Sequence, residues 1–254
     1  MRRFDLSVII PVFNEQARVG KTLEDSLAYL RRSKLRAEIL VVDDGSKDKT
    51  VQTVEKAGKK VKGAVALRVL AQGINRGKGA AVRMGALEAQ GDVVLFMDAD
   101  NATPLSEYEK FRPWFKRGIP VVIGSRAVDR SQVKVPQPLY RQVLGRAANL
   151  VIQVLVVWGI WDTQCGFKAF TREAAKVIFP RQTIERFGFD FELLFLAHKL
   201  GFPIQEVPVQ WFNSPYSKVR LGDYFGTLVE LLSIRWKDLK GVYERPVTKT
   251  RVRS

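Results

Sequence analysis

The sequence predicts an α/β protein, a mostly parallel sheet with helices covering both faces. Short, predominantly apolar runs read as strands buried on both sides: Leu6 to Val12, Ile39 to Val42, Val65 to Leu70, Val93 to Met97 and Val121 to Ile123. Between most of them lie helical segments, as where Val19, Leu23, Leu27 and Leu30 share one helix face. Size agrees: 254 residues, 46% hydrophobic and 27% charged, can bury one substantial core.

Each strand end carries a motif. The first closes in Pro11-Val12-Phe13-Asn14-Glu15, where proline is expected to stop the ladder and leave a loop that can cradle a flat ring. The second closes in Asp43-Asp44-Gly45-Ser46. An acid there can accept from a ribose hydroxyl or a base N–H, and the same residues also make an ordinary turn with Ser46 as a helix cap. After the third strand, Asn75-Arg76-Gly77-Lys78-Gly79 precedes a helix expected to begin at Ala80-Ala81-Val82. Paired glycines, a lysine and a helix N-terminus suit a phosphate or a nucleotide, although the pattern is not that of a P-loop.

The fourth strand runs into Asp98-Ala99-Asp100. Alternate side chains of an extended segment point the same way, so the two carboxylates can converge on one divalent cation while Ala99 leaves room for substrate. The same pattern also serves as a turn or a helix N-cap. Ligands of parallel sheets bind at the carboxyl ends of strands, where all these motifs fall.

Past about residue 130 the pattern changes. Leu150 to Trp161 is apolar but broken by Gln153 and Gly159, short of the ~20 residues a membrane-crossing helix needs. Leu221 to Trp236 is amphipathic and flanked by Lys218, Arg220, Arg235, Lys237 and Lys240. It fits an interfacial helix on an anionic leaflet or a core-facing helix with a solvated rim. The chain divides into a sheet-bearing domain, 1–212, and a basic amphipathic segment, 213–254, expected to contact a membrane surface.

Forty-two Lys and Arg against 26 Asp and Glu give a net charge of +16, which calls for a polyanionic partner: nucleic acid, an anionic membrane or phosphorylated substrates. No helix-turn-helix, finger or aromatic-strand signature is present, so nucleic acid is not expected. A lone Cys165 excludes an internal disulfide and a cysteine zinc cluster, and the sole histidine, His198, reads as structural. Met1-Arg2-Arg3 leads straight into the first strand without a secretory leader, so a cytoplasmic location is expected.

Three further blocks follow in order: Gly124-Ser125-Arg126, Asp162-Thr163-Gln164-Cys165-Gly166-Phe167-Lys168 and Phe189-Asp190-Phe191-Glu192-Leu193-Leu194. With these, residues from about 6 to about 212 resemble the family 2 glycosyltransferases, and within them the dolichyl-phosphate β-glucosyltransferases, with the mannose synthases as cousins. The resemblance implies a GT-A fold, a UDP-glucose donor, Mg²⁺ or Mn²⁺, and inverting transfer to a polyprenyl or dolichyl phosphate at the cytoplasmic membrane face. The mannose-synthase alternative would use GDP-mannose.

Carried over residue by residue, the resemblance implies that Pro11, Asn14, Glu15 and Asp43 line the nucleoside pocket and that Lys78 lies near the nucleotide. It gives Asp98 and Asp100 the metal, with Ala99 between them against the donor. Arg126, Arg141 and Lys218 would meet the acceptor phosphate, while Asp162 and Asp190 compete as the catalytic carboxylate, Asp162 being favoured. A lipid phosphate is already largely anionic at neutral pH, so that carboxylate is expected to orient the reactants more than to take a proton. Two departures stand out. Ala102 replaces a glutamine common in the mannose synthases, which favours the glucosyl branch, and Tyr216 replaces a glycine before Ser217-Lys218. A non-catalytic basic protein that binds membrane or nucleic acid by charge alone leaves the ordered strand-end motifs without a purpose.

Overall fold

A computed structural model describes residues 4–59, 61, 63–129, 133–135, 153, 157–212 and 221–244. The strands are β1 (Phe4–Val12), β2 (Ala37–Asp43), β3 (Val65–Ala71), β4 (Gly91–Met97), β5 (Val121–Ser125), β6 (Val133–Val135), β7 (Phe167–Thr171), β8 (Ile204–Pro208) and β9 (Trp211–Phe212). The helices are α1 (Val19–Ser33), α2 (Thr50–Gly58), α3 (Lys78–Glu88), α4 (Arg112–Lys116), α5 (Arg172–Ile178), α6 (Phe189–Lys199) and α7 (Leu221–Leu239).

Seven strands form one sheet in the order β3-β2-β1-β4-β7-β5-β8, and β6 pairs with β9 apart from it. The β1/β2, β1/β4, β2/β3 and β5/β8 pairings are parallel, whereas β7 runs antiparallel to both β4 and β5. All five strands read from the sequence are present, and the mostly parallel sheet holds. The pleat sorts their side chains into two cores. Leu6, Val8, Ile10, Ile39, Val41, Leu95 and Met97 pack with α1 and α2 residues, while Ile9, Leu40, Val42, Val94 and Phe96 pack with α3, α5 and α6.

Two boundaries differ from expectation. β1 runs through Pro11, paired with Val42, because a proline near a strand end forfeits one ladder donor and no more. α3 begins at Lys78, with Gly77 just before it at φ 117°. A Cβ on Gly77 would lie 2.5 Å from the Glu185 carbonyl, so the approach of these two loops requires glycine. His198 sits exposed in the last turn of α6, where a basic side chain suits the helix dipole.

The chain leaves β1 for β2 and β3 on one side and crosses to β4 on the other. This switch point opens a crevice at the carboxyl ends of β1, β2 and β4. Among the described residues no helix is long and apolar enough to cross a membrane.

Candidate active site

The turn after β4 is fixed from below by α1. Thr22 donates to the Ala99 carbonyl at 2.6 Å, and Asn101, in the left-handed region at φ 57°, reaches Asp25 at 3.1 Å. Alternation puts Asp98 and Asp100 towards the crevice and turns Ala99 into the α1-side core, 7% exposed. The small side chain at 99 packs beneath the pair, against the α1-side core. Asp98 meets Lys78 Nζ at 2.6 Å, and Asp100 accepts from the Ala102 N–H at 3.1 Å, with Arg18 3.9 Å away. Gly166 closes the far side of Asp98: a Cβ there would lie 2.1 Å from Oδ2.

Burial first, and the Asp98 charge second, hold Asp100 above the usual carboxylate range. Burial works against the Lys78 charge, but Asp98 and Asp190 outweigh it and raise its pKa. Among the described residues no third His, Cys, Asp or Glu joins the pair. A hard divalent cation keeps waters and phosphate oxygens beside one or two carboxylates, so two repelling aspartates fit Mg²⁺ or Mn²⁺ carried with a diphosphate.

The loops that follow β1 and β2 are meshed. Asn14, at φ 52°, accepts from the Lys47 N–H and donates its own N–H to Ser46; Glu15 is bridged twice by Arg18 at 2.6 Å; and Asp43 accepts from the Ser46 N–H. Asp44 instead takes the N–H groups of Arg76 and Gly77 at 2.7 and 2.8 Å, and Ala80 donates to the Glu185 carbonyl. These backbone donors are thus committed within the protein. The Gly77-Lys78-Gly79 segment brings the lysine side chain to Asp98.

Across the crevice, Arg126 grips Asp162 with Nε and one terminal nitrogen at 2.7 and 2.8 Å, adds its backbone N–H at 2.8 Å, and lies over the Trp211 ring. Glu206 holds the Trp161 and Asp162 N–H groups at 2.9 and 2.7 Å. Burial alone would raise the Asp162 pKa, but Arg126 overrides it and holds the group low. An arginine-forked carboxylate is a weak base, so Asp162 anchors Arg126. Asp190, on the first turn of α6, is paired through Oδ1 with the fully buried Lys168 at 2.5 Å. Glu192 faces away, holding Thr183, Ile184 and Tyr243. Arg141 and Lys218 lie outside the described residues.

The structure brings Asp98, Asp100, Lys78 and Asp190 into one electrostatic cluster, with Asn14, Glu15 and Asp43 at neighbouring strand ends. The sequence alone gives no role to Arg18 or Glu206, nor to Gly166 and Lys168 beyond their place in the 162–168 block. The Glu15-x-x-Arg18 spacing at a helix start was a usable signal; the other three depend on tertiary approach.

Solved structures share this architecture. Glucosyl-3-phosphoglycerate synthase from Mycobacterium tuberculosis, with Mn²⁺, UDP-glucose and phosphoglyceric acid, superposes with a TM-score of 0.62 at 20% identity over 91% of this chain and 79% of that one. Mannosyl-3-phosphoglycerate synthase from Rubrobacter xylanophilus reaches 0.66 at 17% over 99% and 77%. At these identities the likeness is one of fold, the GT-A-like class. The chain matches the family model "Glycosyl transferase family 2" over residues 7–179 and belongs to that family. It is 40% identical over 226 residues to dolichyl-phosphate beta-glucosyltransferase of Drosophila melanogaster, covering 85% of this chain and 69% of that one. To the human protein of the same name it is 36% identical over 257 residues, covering 96% and 79%.

Proposed function

We propose that this glycosyltransferase moves glucose from UDP-glucose to a polyprenyl or dolichyl phosphate, with inversion, at the cytoplasmic face of a membrane. The observation that carries the reading is the meeting of Asp98, Asp100 and Lys78 at the switch-point crevice, in a chain so similar to dolichyl-phosphate glucosyltransferases.

Mg²⁺ or Mn²⁺ on Asp98 and Asp100 would neutralise charge developing on the departing diphosphate. Lys78 adds a fixed cation beside it. Asn14, Glu15 and Asp43 border the nucleoside loop, Asp43 offering its carboxylate to the ribose or base. Arg126, held by Asp162 and Trp211, positions the acceptor phosphate with Arg141 and Lys218. The phosphate oxygen attacks the anomeric carbon opposite the diphosphate, and the α-linked donor gives a β-linked product. No general base is required, because the acceptor arrives ionised. Asp190 orients the reactants from the α6 side.

On α7, Val229, Leu232, Trp236 and Leu239 are 53%, 53%, 61% and 86% exposed, whereas Leu231 and Ile234 are buried. The helix thus has a core-facing stripe and an open apolar one. At 100° per residue Arg235 and Lys240 flank the open stripe, which favours an anionic membrane surface as the place of reaction. Purified protein given Mn²⁺ and a short polyprenyl phosphate should make glycolipid from UDP-glucose and stop when the metal is chelated. Product from GDP-mannose instead of UDP-glucose would overturn the sugar assignment.

A further inference from the structure

Lys168 stands on β7, an interior strand, with no solvent exposure. Its Nζ donates to Asp190 Oδ1 at 2.5 Å and to the Cys165 carbonyl at 2.6 Å, and lies 5.5 Å from the Phe96 ring centre. Burying an ammonium carries a large desolvation penalty, and an apolar replacement for a buried ion pair is often neutral or stabilising. Stability alone therefore gives little reason for a lysine here.

Its two partners give one. Cys165 immediately precedes Gly166, the residue against which the Asp98 carboxylate rests. Asp190 lies near Lys78, the cation paired with Asp98. One buried ammonium thus ties the loop that shapes the donor carboxylate to the carboxylate at the start of α6. The antiparallel insertion of β7 between β4 and β5 brings it there.

We propose that Lys168 is a positioning residue for glycosyl transfer. It fixes one oxygen of Asp190 from inside the core, sets that carboxylate towards the crevice, and pins the Cys165-Gly166 backbone beside Asp98. The inference rests on the glycosyl-transfer reading above. It places Lys168 behind Asp190 in a single chain of action, without contact to substrate.

A double-mutant cycle tests this, with rates expressed per site titrated by UDP binding and with whichever donor and acceptor the wild-type enzyme turns over. A wrong sugar or lipid assignment therefore overturns the substrate reading and leaves the cycle intact. Lys168→Met and Asp190→Asn should each lower kcat about 100-fold, with the KM for the donor within about threefold of wild type. The double variant should be no slower than either single, and Lys168→Arg should recover about tenfold over Lys168→Met. If Lys168→Met does not fold, the double variant, which leaves no lone buried charge, is compared with Asp190→Asn alone. Losses that multiply to about 10⁴-fold would overturn the proposal. So would a Lys168→Met protein with fewer UDP-binding sites but wild-type kcat at each, which would make Lys168 a folding residue.

Discussion

The half of the crevice we assign to the donor and the half we assign to the acceptor are built by different means. The donor half is a row of parallel strand ends: Asn14 and Glu15 after β1, Asp43 at the end of β2, Asp98 and Asp100 after β4. Each motif sits directly after its own strand, and the sheet lines the motifs up. The acceptor half is assembled by ion pairs and carboxylate caps between distant segments. Arg126 reaches Asp162 across 36 residues, Lys168 reaches Asp190 across 22, and Glu206 holds Asp162 across 44. The carboxylates of the strand-end row stay where the sequence puts them, Asp98 beside Lys78 and Glu15 beside Arg18. A carboxylate in the acceptor half takes its role from the cation that captures it.

The sharpest way to break the donor side of this contrast is Asp98→Asn with Asp100→Asn. Glycosyl transfer should fall by at least about 10³-fold while the protein stays folded, the lost Lys78 pairing being offset by relief of the repulsion between the two carboxylates. Activity within tenfold of wild type would remove the pair from the chemistry.

The largest structural effect should fall on the acceptor side. Asp162→Asn strands the Arg126 guanidinium and should lower unfolding free energy by roughly 3 kcal/mol. Burial raises the Asp162 pKa and Arg126 more than reverses it, so the folded value lies below the unfolded one. Its stabilisation is then complete above about pH 3.9 and is lost as pH falls through the lower folded value. The wild-type advantage over Asp162→Asn should be flat near neutrality and shrink below about pH 4 in urea titrations.

Gly166→Ala probes the seam between the halves. The added methyl collides with Asp98, so Mn²⁺ affinity in the presence of UDP, read by electron paramagnetic resonance, should drop by roughly 10- to 100-fold. Unchanged affinity would detach the 162–166 loop from the donor site. The smallest effect should come from Leu232→Ser with Trp236→Ser, exposed on α7. Sedimentation with anionic vesicles should weaken by about tenfold, with unfolding free energy within about 0.5 kcal/mol of wild type.

The same contrast governs what was legible in the sequence. β1, β2, β4 and β5 are predominantly apolar runs, as burial on both faces demands, and the first three end in the motifs we assign to the donor. β7 escapes that pattern because Lys168 interrupts it, Phe-Lys-Ala-Phe-Thr, for a reason that lies on α6. Asp43 and Asp44 are adjacent and alike in sequence, yet the fold gives Asp44 to the Arg76-Gly77 backbone and Asp43 to the Ser46 N–H. Asp162 reads as the favoured catalytic carboxylate until Arg126 is seen to occupy both its oxygens. Gly166 reads in sequence as one member of a motif, and the approach of Asp98 shows what its missing side chain permits.

One measurement bears most directly on the activity. The protein is incubated with Mn²⁺, a polyprenyl phosphate, uniformly ¹³C-labelled UDP-glucose and an equal amount of unlabelled GDP-mannose, and the lipid product is weighed by mass spectrometry. A donor site built for UDP-glucose yields a labelled hexosyl phospholipid. An unlabelled hexosyl product, or none, contradicts glucosyl transfer from UDP-glucose.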